Sequence, residues 1–154
     1  MEHTMHAAPS LNRLAASATT HCLTGCAVGE VLGMILATWW GWGNAASIAL
    51  AIVLAFVFGY SFTAVPLLRS GLALGAVLGI ALAADTFSIA VMELVDNAVL
   101  LLVPGAMDAG LGDLLFWASL AFALAVAWVA AFPVNRWLIA RGKGHAVAHA
   151  HHGH

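Results

Sequence analysis

Two long stretches of this chain, residues 14–68 and 70–135, contain no lysine and no arginine. Most of their residues are apolar, and 63 % of the whole chain is hydrophobic while only 8 % is charged. A soluble domain needs far more charge on its surface than this. Because the bilayer core offers no water to the backbone, apolar runs of this length predict membrane-spanning helices.

Turn-forming residues divide the apolar sequence into four segments, at about 20–40, 45–68, 70–104 and 111–140. About 20 residues suffice for one crossing, but the third segment would form a straight helix about 50 Å long, against a hydrocarbon core of about 30 Å. We therefore predict an all-α polytopic membrane protein with four transmembrane helices, the third kinked or broken near Asp85. A re-entrant first half of the third segment is the alternative.

The basic residues predict the orientation of the chain. One precedes the first segment, one follows the second and three follow the fourth, so four crossings place all of them on one side. The positive-inside rule identifies that side as the cytoplasm. We expect a bacterial inner-membrane protein with both termini in the cytoplasm. These basic residues are Arg13, Arg69, Arg136, Arg141 and Lys143.

On this basis the chain divides into three parts. Residues 1–19 form an N-terminal tail, residues 20–140 form the four-helix transmembrane domain, and residues 141–154 form a cytoplasmic His-rich tail. The lipid bilayer is the expected partner. The net charge is −2 and no basic patch is present, so nucleic acid is not an expected partner.

The first apolar segment opens with HCLTGCAVGE, which places reactive side chains on a helix. Cys22, Cys26 and Glu30 follow at four-residue spacing and share one stripe, which Met34 continues. His21 lies at the mouth of this segment. Thiolate and thioether ligands favour Cu(I), and the addition of imidazole and carboxylate ligands leaves Zn(II) open. The alternative is that both cysteines are small buried hydrophobic residues.

Glycines repeat at the same four-residue spacing in two of the segments. Small residues in this pattern let helix backbones approach closely. We expect the glycine stripes to bring the first and third segments together and to support a homo-oligomer. The stripes are Gly25/Gly29/Gly33 in the first segment and Gly71/Gly75/Gly79 in the third.

The third segment carries several polar side chains within its apolar sequence. A carboxylate at the bilayer centre costs about 2.5–3.5 kcal/mol, so four unpartnered carboxylates, Glu30 included, would cost roughly 10 kcal/mol. No lysine or arginine lies within residues 14–68 or 70–135 to neutralise them. They must be protonated, hydrogen-bonded, hydrated or bound to a cation. On a helix these side chains cover about half the circumference; they are Asp85, Ser88, Met92, Glu93, Asp96 and Asn97.

These patterns together predict a metal site inside the membrane. The thiols and the imidazole would form its cytoplasmic part, and the carboxylates would continue it as a track toward the outer face. Cu(I) is the favoured ion and Zn(II) the alternative. The predicted ligands are His21, Cys22, Cys26, Glu30, Asp85, Met92, Glu93 and Asp96, with Met34, Ser88 and Asn97 in support.

The C-terminal tail is rich in histidine, a composition typical of metal-binding tracts. We expect it to collect metal ions on the cytoplasmic side, and a merely solvated tail is the alternative. Its histidines are His145, His149, His151, His152 and His154.

Three motifs extend over most of the chain: HCLTGCAVGEVLGM, ADTFSIAVMELVDNAVLLLVPGAMDAGLGDLLFW and FPVNRWLIARGKGH. Together they resemble a bacterial and archaeal family of small polytopic membrane proteins, the domain of unknown function numbered 4396. The likeness covers about residues 20–145. The resemblance implies the membrane fold and carries no activity, cofactor or site residue.

Three functions remain open at this point. The preferred one is a small inner-membrane protein that binds and transports a metal cation, with copper favoured. A non-transporting assembly or helper subunit would use the polar side chains for docking. A proton-conducting protein would use the carboxyls but not the thiols. No organic cofactor and no enzymatic activity are expected, because no nucleophile–base pair or cofactor motif is visible.

Overall fold

The computed structural model describes residues 9–141, which form a bundle of four helices. Every helix is long and apolar enough to cross a membrane. With 26 to 30 residues each, the helices are about 39–45 Å long, so they tilt or extend beyond the hydrocarbon core. The chain is an all-α polytopic membrane protein, as predicted. The elements are α1 (Leu11–Trp40), α2 (Asn44–Arg69), α3 (Leu74–Leu102), a short 3₁₀ turn (Ala106–Asp108) and α4 (Leu114–Ala140).

Glycines in the left-handed region mark the connections between the helices. Gly41 ends α1 with φ 69°, Gly71 follows α2 with φ 90°, and Gly105 lies between α3 and α4 with φ 79°. A side chain with a Cβ is strained in this conformation, which explains the choice of glycine. Because the connections are short, consecutive helices run antiparallel.

Two helix boundaries differ from the predicted ones. α1 begins at Leu11 rather than near residue 20, so residues 11–19 belong to the helix and not to a tail. The Oγ of Ser10 caps it by accepting from the backbone N–H of Arg13 at 3.3 Å. The sequence that follows is rich in alanine, which favours a helix without making the segment strongly apolar.

The third segment is shorter as a helix than the apolar sequence suggested. Residues 70–73 form the turn after α2, and α3 begins only at Leu74. From there α3 is one continuous helix of 29 residues that includes Asp85. It is therefore not broken at Asp85, and a kink there stays a prediction.

The antiparallel bundle has two ends of different charge. The start of α1 and the end of α4 meet where Arg136 Nε donates to the side-chain oxygen of Asn12 at 2.7 Å. We call this the basic end, and the opposite one, which carries Asp108 and Asp113, the acidic end. The arginines of the basic end are Arg13, Arg69, Arg136 and Arg141.

The first glycine stripe packs against α2, the helix with which α1 has its most extensive contact. A Cβ added at Gly33 would lie 2.6 Å from the Cα of Ala51, and one added at Gly25 would lie 3.0 Å from the Cα of Gly59. A Cβ added at Gly29 would meet the backbone of α2 at Leu54. The prediction that this stripe brings α1 to α3 or to a second copy is therefore wrong, because α2 already covers it.

The second glycine stripe has a different role from the one predicted. Gly71 lies in the turn after α2, outside any helix. At Gly75 and Gly79 an added Cβ would meet no atom within 4 Å among the described residues. This stripe does not join α3 to α1, so that part of the prediction is wrong, and an oligomer formed through Gly75 and Gly79 stays a prediction.

Small side chains line the inward faces of α2 and α4. Both stripes keep a four-residue spacing, so each lies along one face of its helix. They allow α1 and α3 to meet diagonally across the bundle, where the candidate site lies. The buried residues are Ser47, Ala51, Ala55, Gly59 and Thr63 in α2, and Ser119, Ala123, Ala127, Ala131 and Asn135 in α4.

Candidate functional site

The two thiols lie in the middle of the bundle. Cys22 and Cys26 are 2 % and 1 % exposed, both are free, and their thiols are within hydrogen-bonding reach of each other. They share one buried cluster with Met92 of α3. Ser88 of α3 places its Oγ 3.5 Å from the Sγ of Cys22. The predicted thiol stripe of α1 therefore faces α3.

The four acidic side chains predicted to lie in the membrane are all buried inside the bundle. Glu30, Asp85, Glu93 and Asp96 are only 1–5 % exposed. Their burial means that water on the outside of the bundle does not solvate them. Each carboxyl must therefore be neutralised or hydrogen-bonded from within the protein.

Glu30 and Asp96 form a close carboxyl pair between α1 and α3. Their side chains are within hydrogen-bonding reach of each other. No donor among residues 9–141 reaches the Oε2 of Glu30 or either carboxyl oxygen of Asp96. Two ionised carboxylates do not rest side by side in apolar surroundings, so the pair needs a shared proton or a bound cation.

Glu93 connects the thiols with this carboxyl pair. Its carboxyl is within hydrogen-bonding reach of Cys26 and lies close to Asp96. Asn97 supports it, because the Nδ2 of Asn97 donates to the main-chain oxygen of Glu93 at 2.8 Å and lies 3.5 Å from its Oε2. The result is one continuous line of buried polar groups between α1 and α3, which we call the polar track: Ser88, Cys22, Cys26, Glu93, Asp96 and Glu30.

Toward the basic end the bundle contains further buried polar groups. Asp85 lies on α3 one turn before Ser88. Asn135 of α4 donates from its Nδ2 to the Oγ1 of Thr19 at 3.0 Å, and both side chains are fully buried. The sequence analysis missed Asn135 and Thr19. The signal was present, because Asn135 is a carboxamide within the apolar fourth segment.

His21, which was predicted to join the thiols, contacts α2. Its ring packs edge-on against Phe62, with 5.8 Å between the ring centroids, beside an open groove that Arg13 and Thr24 also line. Within residues 9–141 no three side chains of His, Cys, Asp or Glu converge as ligands for one metal ion. The structure brings Cys22 and Cys26 together with Met92, and the role of His21 as a ligand stays a prediction.

At the acidic end Glu30 lines a small cavity between the four helices and the 3₁₀ turn, which we call the acidic-end cavity. Its volume is about 20 Å³, roughly what one water molecule or one bare cation needs. Two predicted supporting residues, Met34 and Asn97, line it too. Met107 of the turn completes the lining near them, and no helical spacing in the sequence could have pointed to it.

The predicted metal-collecting tail lies outside the described residues. The histidines of this tail are His145, His149, His151, His152 and His154.

Four apolar helices around a core of thiols and carboxyls define a polytopic membrane protein with a polar interior. Residues 11–144 match the family described as Domain of unknown function (DUF4396), and the chain belongs to that family. The match confirms the resemblance seen in the sequence. Comparison with curated proteins and with solved structures finds no match.

Proposed function

We propose that this membrane protein binds Cu(I) at its thiol pair and moves it along the polar track. The observation that carries the proposal is the burial of Cys22 and Cys26, one helical turn apart, in one cluster with the thioether of Met92. Two thiolates and a thioether are soft ligands of the kind that select Cu(I). These three sulfur groups fit Zn(II) less well, because structural zinc sites take four nitrogen, sulfur or oxygen ligands.

The surroundings of the thiols support transport rather than a purely structural role for them. The polar track continues from the thiols through Glu93 to the Glu30–Asp96 pair, so a cation leaving the sulfurs meets negative or polar groups at each step. A bare cation in apolar surroundings is expensive, and buried polar side chains of this kind mark ion pathways in membrane proteins. The carboxyls would exchange protons for the ion.

The test compares Cu(I) binding and transport in the full-length protein and a C22S/C26S variant, with the tail histidines replaced by alanine in both. We expect the variant to hold less Cu(I) than the parent protein when a chelator competes for it, and to lose Cu(I) uptake into proteoliposomes. A127S is the matched control, because it adds a hydroxyl to the same buried cluster and keeps both thiols. Equal Cu(I) content in C22S/C26S and the parent protein would remove the thiol site.

Proton conduction is a second candidate, and the Glu30–Asp96 pair favours it. A carboxyl pair without a donor from the described part of the chain accepts a shared proton as readily as a cation. Proton flux into liposomes that persists in C22S/C26S and is lost in E30Q would support this candidate over copper transport. The reverse pattern would exclude it.

For the membrane and the orientation we propose the bacterial inner membrane, with the basic end in the cytoplasm. Support comes from the arginines at one end of the bundle and the two aspartates at the other. In this orientation the histidines of the C-terminal tail would collect metal ions on the side from which the thiols are approached. Accessibility labelling of single cysteines introduced at Asn12 and Asp108 in intact cells tests the orientation.

A homo-oligomer remains part of the proposal through α3 alone. Gly75 and Gly79 lie beside exposed leucines, Leu74 and Leu78, so a neighbouring helix would find both small and large side chains there. Cross-linking of cysteines introduced at these two leucines, in a background without Cys22 and Cys26, tests it.

A further inference from the structure

We infer that the acidic-end cavity is a second binding site for a soft monovalent cation, Cu(I), distinct from the thiol pair. The inference rests on the proposed function, since copper must reach this end of the polar track. The cavity lies where the four helices meet the turn Ala106–Asp108. It is a place where an ion released by the thiols would stop before leaving the bundle.

The first ligand is the carboxylate of Glu30. Its side chain is 4 % exposed and lines the cavity, and its Oε2 meets no hydrogen-bond donor from residues 9–141. A buried acceptor of this kind is costly unless a proton or a cation satisfies it. A cation bound by this carboxyl group in the cavity would offset that cost.

The second and third ligands are thioethers. Met34 follows Glu30 by four residues on the same face of α1, and Met107 approaches from the 3₁₀ turn. Thioether sulfur binds Cu(I) in preference to hard ions. Mg²⁺ and Ca²⁺ need six or more oxygen ligands, which this largely apolar wall, with Phe116 and Leu120, does not offer.

Charge and size both favour a monovalent ion. Among residues 9–141, Glu30 is the only acidic side chain that lines the cavity, and no basic one does. With one proton shared between them, Glu30 and Asp96 carry a single negative charge, which one Cu(I) ion neutralises, whereas a divalent ion would leave a positive charge in apolar surroundings. The volume of about 20 Å³ leaves no room for a hydration shell.

Asn97 joins the cavity to the thiol site. It lines the cavity while its Nδ2 is bonded to Glu93, which in turn reaches Cys26. The Oδ1 of Asn97 would be a further oxygen ligand. The two sites thus lie toward the two ends of the polar track, with the thiols nearer the basic end.

The experiment counts Ag(I), a redox-stable probe for Cu(I), on full-length protein in detergent with the histidines of both tails replaced by alanine. Methionine labelled with ¹³C at its methyl group reports by NMR which sulfurs bind. We expect two Ag(I) per chain in the parent protein, one of which shifts the Met34 and Met107 methyl signals. We expect M34L/M107L to keep one Ag(I), with a shifted Met92 signal, and C22S/C26S to keep the other.

The outcomes separate this inference from the proposed function. One Ag(I) in the parent that is lost in C22S/C26S, with unmoved Met34 and Met107 signals, overturns the second site and leaves the thiol site standing. One Ag(I) that survives in C22S/C26S but is lost in M34L/M107L overturns the thiol site and keeps the cavity. Equal Ag(I) content in M34L/M107L and the parent also overturns the second site.

Two features keep the test interpretable. Methionine to leucine nearly conserves volume, so M34L/M107L retains the fold, and thermal unfolding checks this. In the C22S/C26S background, E30Q should lower the affinity of the remaining site for Ag(I) by on the order of tenfold. The reason is that glutamine removes the negative charge of the ligand and keeps the shape of the side chain. No change in affinity with E30Q would contradict the role of the carboxylate.

Discussion

The two inward faces of α1 differ sharply in what they contact. One face carries Gly25, Gly29 and Gly33 and lies directly on the backbone of α2. The other carries Cys22, Cys26 and Glu30 and faces the polar side of α3. Close packing stabilises a membrane bundle, whereas buried thiols and carboxyls do not. One helix therefore supplies both the scaffold and the candidate site, and the glycine face offsets the cost of the polar one.

The largest effect is expected from G29L on the glycine face. A side chain there would overlap the backbone of Leu54 and Ala55, and neither can move without displacing α2. We expect a loss of about 3 kcal/mol or more in the free energy of unfolding, and failure to form a monodisperse protein. Thermal unfolding and gel filtration in detergent measure it.

The matched control is G112L in the loop before α4, where an added Cβ meets nothing within 4 Å among the described residues. There we expect a change below about 0.5 kcal/mol in the free energy of unfolding. If G29L is as stable as G112L, the close contact between α1 and α2 does not hold the bundle together.

A smaller effect is expected from N135A, which tests whether the polar side of the bundle also contributes to stability. The change removes the bond from the Nδ2 of Asn135 to the Oγ1 of Thr19 and leaves a gap at a fully buried position. We expect a loss of about 2 kcal/mol in the free energy of unfolding. V129A, at an exposed position of the same helix, is the control and should cost less than about 0.5 kcal/mol. Equal effects of the two would show that the Thr19–Asn135 bond contributes nothing.

E30Q should raise stability, which would sharpen the contrast between the two faces. The carboxamide of glutamine donates to the carboxyl of Asp96, within reach of position 30, and so supplies a donor that the pair lacks. We expect a gain of about 1 kcal/mol in the free energy of unfolding. D108N, an exposed change at the acidic end, should leave stability unchanged. A marked loss in E30Q would mean that the carboxyl pair stabilises the bundle.

The smallest effect is expected at the contact between α2 and α3. The hydroxyls of Tyr60 and Thr86 lie 2.7 Å apart, on side chains that are partly exposed. A double-mutant cycle of Y60F and T86V should give a coupling of about 0.6 kcal/mol, typical of hydrogen bonds between membrane helices. A coupling above about 2 kcal/mol would make this contact, and not the glycine face, a principal support of the bundle.

The number and limits of the helices were largely predictable, because hydropathy and turn residues act locally. The exceptions are instructive. The start of α1 is alanine-rich rather than strongly apolar, and for this reason the sequence pattern predicted a tail where residues 11–19 form a helix. The third segment seemed too long because Ser70 and Gly71, which form a turn, lie next to apolar residues.

Which helix packs on which was not predictable from spacing. Gly25/Gly29/Gly33 and Gly71/Gly75/Gly79 have the same pattern in the sequence, yet the first is covered by α2 and the second meets no described neighbour. A small-residue stripe indicates that a backbone can come close but does not name the partner. The partner depends on every other surface in the bundle.

The candidate site was predictable as far as it follows one helix face. The four-residue spacing correctly put Cys22, Cys26 and Glu30 on one stripe, and these face Met92 and Asp96 of α3. His21 is next to Cys22 in sequence but points about 100° away on the helix, toward Phe62. Met107 lies in a loop, where no periodicity applies.

The alanine stripes of α2 and α4 limit how far the core between α1 and α3 can adapt. Alanine has no rotamers, so Ala55, Ala127 and Ala131 cannot turn aside to make room or to fill it. The space between α1 and α3 is therefore set by the spacing of the main chains. Exchanging one of these methyl groups for an isopropyl group would narrow that space at a chosen depth.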